Sequence, residues 1–161
     1  MKRSLNAALA LLIGAASFAP ALVAQDRAED ERAVLATLER LFDAMRANDA
    51  EMAGSVFADG AVLISTERQG RPATNIVPAE SFVAAIGNAT AEWDEPFWDP
   101  IVQIQDHLAT VWTKYAFYLD GEFTHCGVDA VIMARGEEGW KIAALADSRE
   151  TEECELPPPA G

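Results

Sequence analysis

Cysteine and histidine are scarce in this 161-residue chain, with two of each: Cys126 and Cys154, His107 and His125. That is too few, and too widely spread, for a zinc-type ligand set. His125 and Cys126 are neighbours, so on a strand their side chains leave opposite faces and cannot share an ion. A Gly-x-Ser-x-Gly turn is missing, as is any glycine-rich loop to cradle phosphate. No metal and no cofactor are expected, and no serine nucleophile either. Positive charge is also sparse: 12 Lys and Arg stand against 26 Asp and Glu, a formal net charge of −14. Such a chain repels nucleic acid and anionic lipid headgroups, which argues against both as partners. Internal repeats are absent.

What is present begins with an export signature over residues 1–24. Lys2 and Arg3 precede an apolar run from Leu5 to Phe18, and small residues at 19–21 or 22–24 offer a cleavage site. The run is short for a membrane span. Removal of this segment takes the formal charge from −14 to −16, because Lys2 and Arg3 are the only charges it carries. The expected location is periplasmic or secreted, with no membrane association once the signal is gone. Residues 25–150 then make one domain. Residues 151–161, ending ELPPPAG, have the composition of a disordered tail.

Helical periodicity runs from Ala28 to Arg46, where Val34, Leu35, Leu38, Leu41, Phe42 and Met45 form one stripe. Asn48-Asp49 breaks this helix, and Asp49 suits the cap of a short second one reaching Phe57. Ala61 to Thr66 reads as a strand, Gly70 to Pro78 as a polar loop, and Ala79 to Ile86 as a third helix. Ala91 to Asp99 (AEWDEPFWD) reads as an irregular or edge segment, its aromatics either lining a pocket mouth or plugging one end of the core. A strand follows over Ile101 to Gln105, turning at Asp106-His107.

Ala109 to Arg149 carries nearly every residue with chemical potential. It reads as three strands joined at Asp120-Gly121 and at Gly136 to Gly139, both turn signals. Two-residue loops at both turns would place Trp112, Asp129 and Ala146 in one row, with Lys114, Gly127 and Ser148 in the next. Tyr115, Cys126 and Arg149 would then share the opposite face, as would Thr113, Val128 and Asp147. A one-residue slip would exchange part of this assignment. Early helices followed by an antiparallel meander define an α+β fold with helices on one face of the sheet.

The N-terminal helix followed by DAEMAGSVFADGAVLIS, then Trp112-Thr113-Lys114-Tyr115, His125-Cys126-Gly127-Val128-Asp129, Gly139-Trp140-Lys141-Ile142 and Asp147-Ser148-Arg149, resembles the nuclear transport factor 2-like superfamily. That superfamily includes SnoaL-like cyclases, ketosteroid isomerases and scytalone dehydratases. The resemblance implies a curved antiparallel sheet with N-terminal helices packed on its concave face. It also implies a pocket between them and, often, a homodimer through the sheet's outer face. The paired histidines of the dehydratase pattern are not met.

Asp129 is the best candidate for a catalytic acid or base, on an otherwise apolar surface that raises a carboxyl's pKa. The rival reading pairs it with Lys114. Trp112 and His125 are expected to line the pocket with it, although His125 lies about 13 Å along the strand, too far for a direct dyad. Asp147 and Arg149 are expected to form an ion pair or a dimer contact. Cys126 and Cys154 are expected to form a disulfide that pins the tail, since an exported protein meets oxidising conditions. Two functions follow: a pocket protein for a small hydrophobic or aromatic ligand with isomerase- or lyase-like proton transfer, or a non-enzymatic dimeric interaction module.

Overall fold

The computed structural model describes residues 19–68, 71–152 and 154–156. Most of the expected export segment, residues 1–18, and the last five residues of the tail lie outside the described residues. The elements are α1 (Ala19–Ala47), α2 (Ala50–Val56), β1 (Phe57–Arg68), β2 (Arg71–Pro78), α3 (Ala79–Asn88), β3 (Trp93–Asp94), β4 (Phe97–Gln105), β5 (Leu108–Leu119), β6 (Glu122–Gly136) and β7 (Gly139–Asp147). The seven strands form one sheet in the order β2-β1-β7-β6-β5-β3, with β4 also paired to β5. The β1–β7 pairing is parallel and the others are antiparallel.

The helical stripe does what its spacing demands. Val34, Leu38, Leu41, Phe42 and Met45 are buried and join Val111, Val131, Met133, Trp140, Ile142 and Leu145 of the sheet in one core. α1 stops at Asn48, which takes the left-handed conformation (φ 52°). There the Asn48 amide donates to Met45 O and the Asp49 amide to Ala44 O, at 3.2 and 2.9 Å. This pair of reversed bonds satisfies the last carbonyls of the helix. Asp49 then caps α2, its carboxylate accepting from the Met52 amide at 2.9 Å. Two adjacent residues therefore end one helix and start the next.

The residues 70–78 differ from expectation. They form β2 from Arg71 onward, paired with β1 through Ile64–Ile76 and its neighbours. The segment reads as polar because β2 is an edge strand with most of its residues exposed. In AEWDEPFWD the plugging role prevails for the aromatics: Phe97 packs on Phe42 and Trp93 on Phe82 and Phe117, with centroids 5.4, 6.2 and 6.1 Å apart.

Both turns form where the sequence places them, but each hairpin carries an extra residue further along. Tyr118 opposes Phe123, yet Phe117 opposes His125, so Thr124 is a bulge whose hydroxyl donates to Phe117 O at 3.1 Å. Met133 opposes Ile142, yet Ile132 opposes Ala144, which makes Ala143 a second bulge. Each extra residue slips the register by one and exchanges the faces beyond it. Asp129 is consequently opposed by Thr113 and Asp147 rather than by Trp112 and Ala146. Trp112 stands with Ala130 and Ala146 on the outer face, 56% exposed. The expectation that Trp112 lines the pocket is overturned by that slip. Tyr115, Thr113, Val111, Leu145 and Asp147 move the other way, onto the helix-covered face.

A candidate acid cavity

The concave face holds a cavity of about 60 Å³. Leu41, Phe42 and Met45 of α1 and Phe82 of α3 wall it on the helix side, with Leu63 and Leu145 beside them. Its polar lining is Glu95, Tyr115, His125, Asp129, Asp147 and Arg149.

Asp129 is 1% exposed. Lys114, the partner proposed for it, faces outward and pairs with Asp99 and Glu155 at 3.2 and 2.9 Å. Thr113 sits opposite Asp129 but donates its hydroxyl to Trp98 O at 2.9 Å. With both neighbours committed elsewhere, the group that meets Asp129 is Glu95, with which it hydrogen-bonds. Glu95 is half-buried as a residue, since its backbone lies in the connection from β3 to β4, while its carboxyl turns into the cavity.

As two carboxylates the pair has no donor between them, and Asp129 Oδ2 is left buried without a hydrogen-bond partner. A proton held on one carboxyl removes both problems. Burial, followed by repulsion from Asp147, raises Asp129 to about 8, against the lowering effects of the Glu95 hydrogen bond and Arg149. Burial, then Asp129 and Asp147, pushes Glu95 well above the ordinary carboxyl range. Once Asp129 ionises, as pH rises through about 8, the pair keeps one proton, Glu95 donating and Asp129 accepting.

Asp147 and Arg149 form an ion pair at 2.5 Å, with side-chain exposures of 14% and 47%. Their chemistry is at the mouth: Arg149 reaches solvent while its pair partner faces Asp129 across the strands. Tyr115 is buried and its phenol donates to Ser148 O at 2.8 Å. Burial, then the negative charge of Glu95, raises that phenol and keeps it protonated.

His125 stands between Tyr115 and Phe117, with centroids at 5.7 and 5.2 Å, and its Nδ1 meets Thr124 Oγ1 at 2.7 Å. Burial, then Arg149, lowers its pKa and favours neutral imidazole. His125 and Asp129 thus both face the cavity and Trp112 does not. Glu95 escaped the sequence reading, because no periodicity orients a side chain within AEWDEPFWD. Cys126 and Cys154 are joined in a disulfide on the outer side of β6, beside Trp98 and Ala116. Among the described residues, no cluster of His, Cys, Asp and Glu has an arrangement that would hold a metal ion.

A curved sheet covered on its concave face by N-terminal helices defines the nuclear transport factor 2-like fold. The chain belongs to the family described as putative lumazine-binding, which it matches over residues 29–146. Solved structures of the same fold include a nuclear transport factor 2-like protein with a cystatin-like fold from Novosphingobium aromaticivorans. It is 13% identical, has a TM-score of 0.70, and the match covers 87% of this chain and 94% of that one. A nuclear transport factor 2-like protein from Cytophaga hutchinsonii is 17% identical with a TM-score of 0.63, covering 74% of this chain and 98% of its own. A putative dehydratase from the nuclear transport factor 2-like family, from Streptomyces avermitilis, is 18% identical with a TM-score of 0.62, covering 78% of this chain and 99% of its own. No curated protein matches the chain.

Proposed function

We propose that this is an exported small-molecule pocket protein whose Glu95–Asp129 pair carries out proton transfer on a small, largely apolar ligand. The observation that carries the reading is the buried carboxyl pair, with an unpartnered Asp129 Oδ2, in a cavity whose helix side is apolar. Such a pair offers a base and an acid side by side. Asp129 takes a proton from the ligand while Glu95 gives one to the site that gains electron density, and the hydrogen bond between them restores the starting state. This is the bookkeeping of an isomerisation or an elimination, with Asp129 available as the base as pH rises through about 8. Tyr115 and His125 contribute as neutral polar walls.

A lumazine-sized ring, as the family's description would suggest, is much larger than a cavity of about 60 Å³. That volume takes a few waters or a ligand of a few heavy atoms, whereas pockets for larger ligands run to about 300–1,000 Å³. Binding therefore requires the cavity to widen. Export is supported by the disulfide. No described helix is long and apolar enough to cross a membrane.

The second reading, a dimeric interaction module, is favoured by the outer face. There Ile76, Ile64, Ala146, Ala130, Trp112 and Ile101 oppose one another in one row across the sheet. Pro78, Val62, Ala144, Ile132, Thr110 and Gln103 make the next. Two uncharged rows on so acidic a chain suit a second copy of the same face, and this dimer is compatible with a working cavity.

Native mass spectrometry of the protein purified without reductant tests the choice. A retained small molecule that is lost in Asp129→Asn supports the pocket. An empty dimer, unaltered by that substitution, leaves only the interaction module.

A further inference from the structure

Most of the cavity wall cannot move cheaply. Leu41, Phe42 and Met45 belong to the central core, and the floor is the sheet itself. The rest of the wall is Phe82 of α3, Glu95 in the connection from β3 to β4, and the end of β7 with the residues after it, which carry Asp147 and Arg149. These residues turn across β6 at Gly127, where a Cβ would stand 2.0 Å from Ser148 O. The Ser148 amide donates to Val128 O and Ser148 Oγ accepts from the Val128 amide, both at 3.0 Å. Tyr115 holds Ser148 O from the cavity side. One residue beyond Arg149, Glu150 exchanges two backbone hydrogen bonds with Cys126, at 2.9 and 2.8 Å. The covalent tie from Cys126 to Cys154 fastens the far end, next to an exposed Lys114–Glu155 ion pair of the kind that contributes little.

We propose that residues 148–152 are a strap across the mouth of the acid cavity and that the Cys126–Cys154 disulfide is its latch, closed when oxidised and released by a dithiol reductant. This rests on the cavity being the ligand site. Cys126 is buried and Cys154 is partly exposed, so the incoming thiolate attacks the Cys154 sulfur and Cys126 leaves as thiolate. The reductant's second thiol then displaces Cys154. Two protons and two electrons pass to the protein, giving two cysteine thiols and an oxidised dithiol. With the latch open, the strap keeps only the hydrogen bonds of Ser148 and Glu150, the Tyr115 contact and the Asp147–Arg149 ion pair; when these yield, Arg149 swings from the mouth and the space behind it joins solvent.

The test is amide hydrogen exchange of the full chain with and without dithiothreitol, read alongside carbon-13 titration of the Asp129 and Glu95 carboxyls. Reduction is expected to speed exchange at Ser148 and Glu150 at least tenfold, with Val131 and Met133 unchanged. The Asp129 titration is expected to move down toward the ordinary carboxyl range. Cys154→Ser, which leaves the buried Cys126 in place, is expected to match the reduced protein. Unchanged exchange at Ser148, or equal acceleration at Val131 and Met133, would overturn the latch. If the strap responds but Asp129→Asn retains whatever molecule the native protein carries, the latch stands and the ligand reading of the cavity fails.

Discussion

The raised carboxyls of Glu95 and Asp129 have an effect on stability with a definite sign. Asp129 titrates near 8 in the folded chain, above its ordinary value of 3.8. The folded state therefore binds more protons than the unfolded state between those values, and stability falls as pH rises through that window. Below about pH 4 the contribution is complete. Urea unfolding at half-unit pH steps is expected to show this decline, at no more than about 1.4 kcal/mol per pH unit for one proton. Asp129→Asn is expected to flatten it; an unchanged slope would mean the pair is not protonated. Gly127 makes a different demand. A methyl there meets the backbone of Ser148, so Gly127→Ala is expected to cost about 1–3 kcal/mol of stability, read from the urea midpoint.

Among the elements, the joint between α1 and α2 is the most economical. Asp49→Ala removes the cap on the Met52 amide and is expected to cost about 1 kcal/mol, measured by chemical denaturation with the helical signal otherwise kept. This joint was legible in the sequence because Asn and Asp have side chains that suit a left-handed end and a cap. The turns at Asp120-Gly121 and Gly136 to Gly139 were legible for the same kind of reason: they need positive φ, and Asp120, Gly121 and Gly139 adopt it. The bulges at Thr124 and Ala143 were not. Neither residue carries a local signal, and their position follows from how the curved sheet meets the helices. The cost was specific, because Trp112 and Tyr115 exchanged faces while Asp129 kept its place on the helix-covered side. Edge strand β2 was missed because exposure on both sides erases the alternation that marks a half-buried strand.

At the scale of the whole molecule, the helix stripe and the meander were enough to reach an α+β cone, since both obey periodicities that a sequence displays directly. The cavity was only half visible: Asp129 and His125 lie on regular strands, whereas Glu95 is brought in by an irregular segment. The outer face supplies the last prediction. Ile132→Glu and Trp112→Glu place charge in the centre of two uncharged rows. Each is expected to convert a dimer to a monomer by light scattering without altering the far-ultraviolet circular dichroism. A monomeric native protein at the same concentration would sink the dimer.

The parallel pairing of β1 with β7 has a consequence in time. Leu63 lies beside Leu145, and Ser65 beside Asp147, so a strand from the first half of the chain waits for the last strand before its inner edge is satisfied. Such distant pairing costs loop-closure entropy before any contact rewards it, which slows folding relative to chains of mostly local contacts. During synthesis β1 and β2 can make only a hairpin with an open edge, and the sheet closes after β7 has emerged. The topology thereby sets one constraint on the order of events: the β1–β7 seam cannot close before β7 has been made.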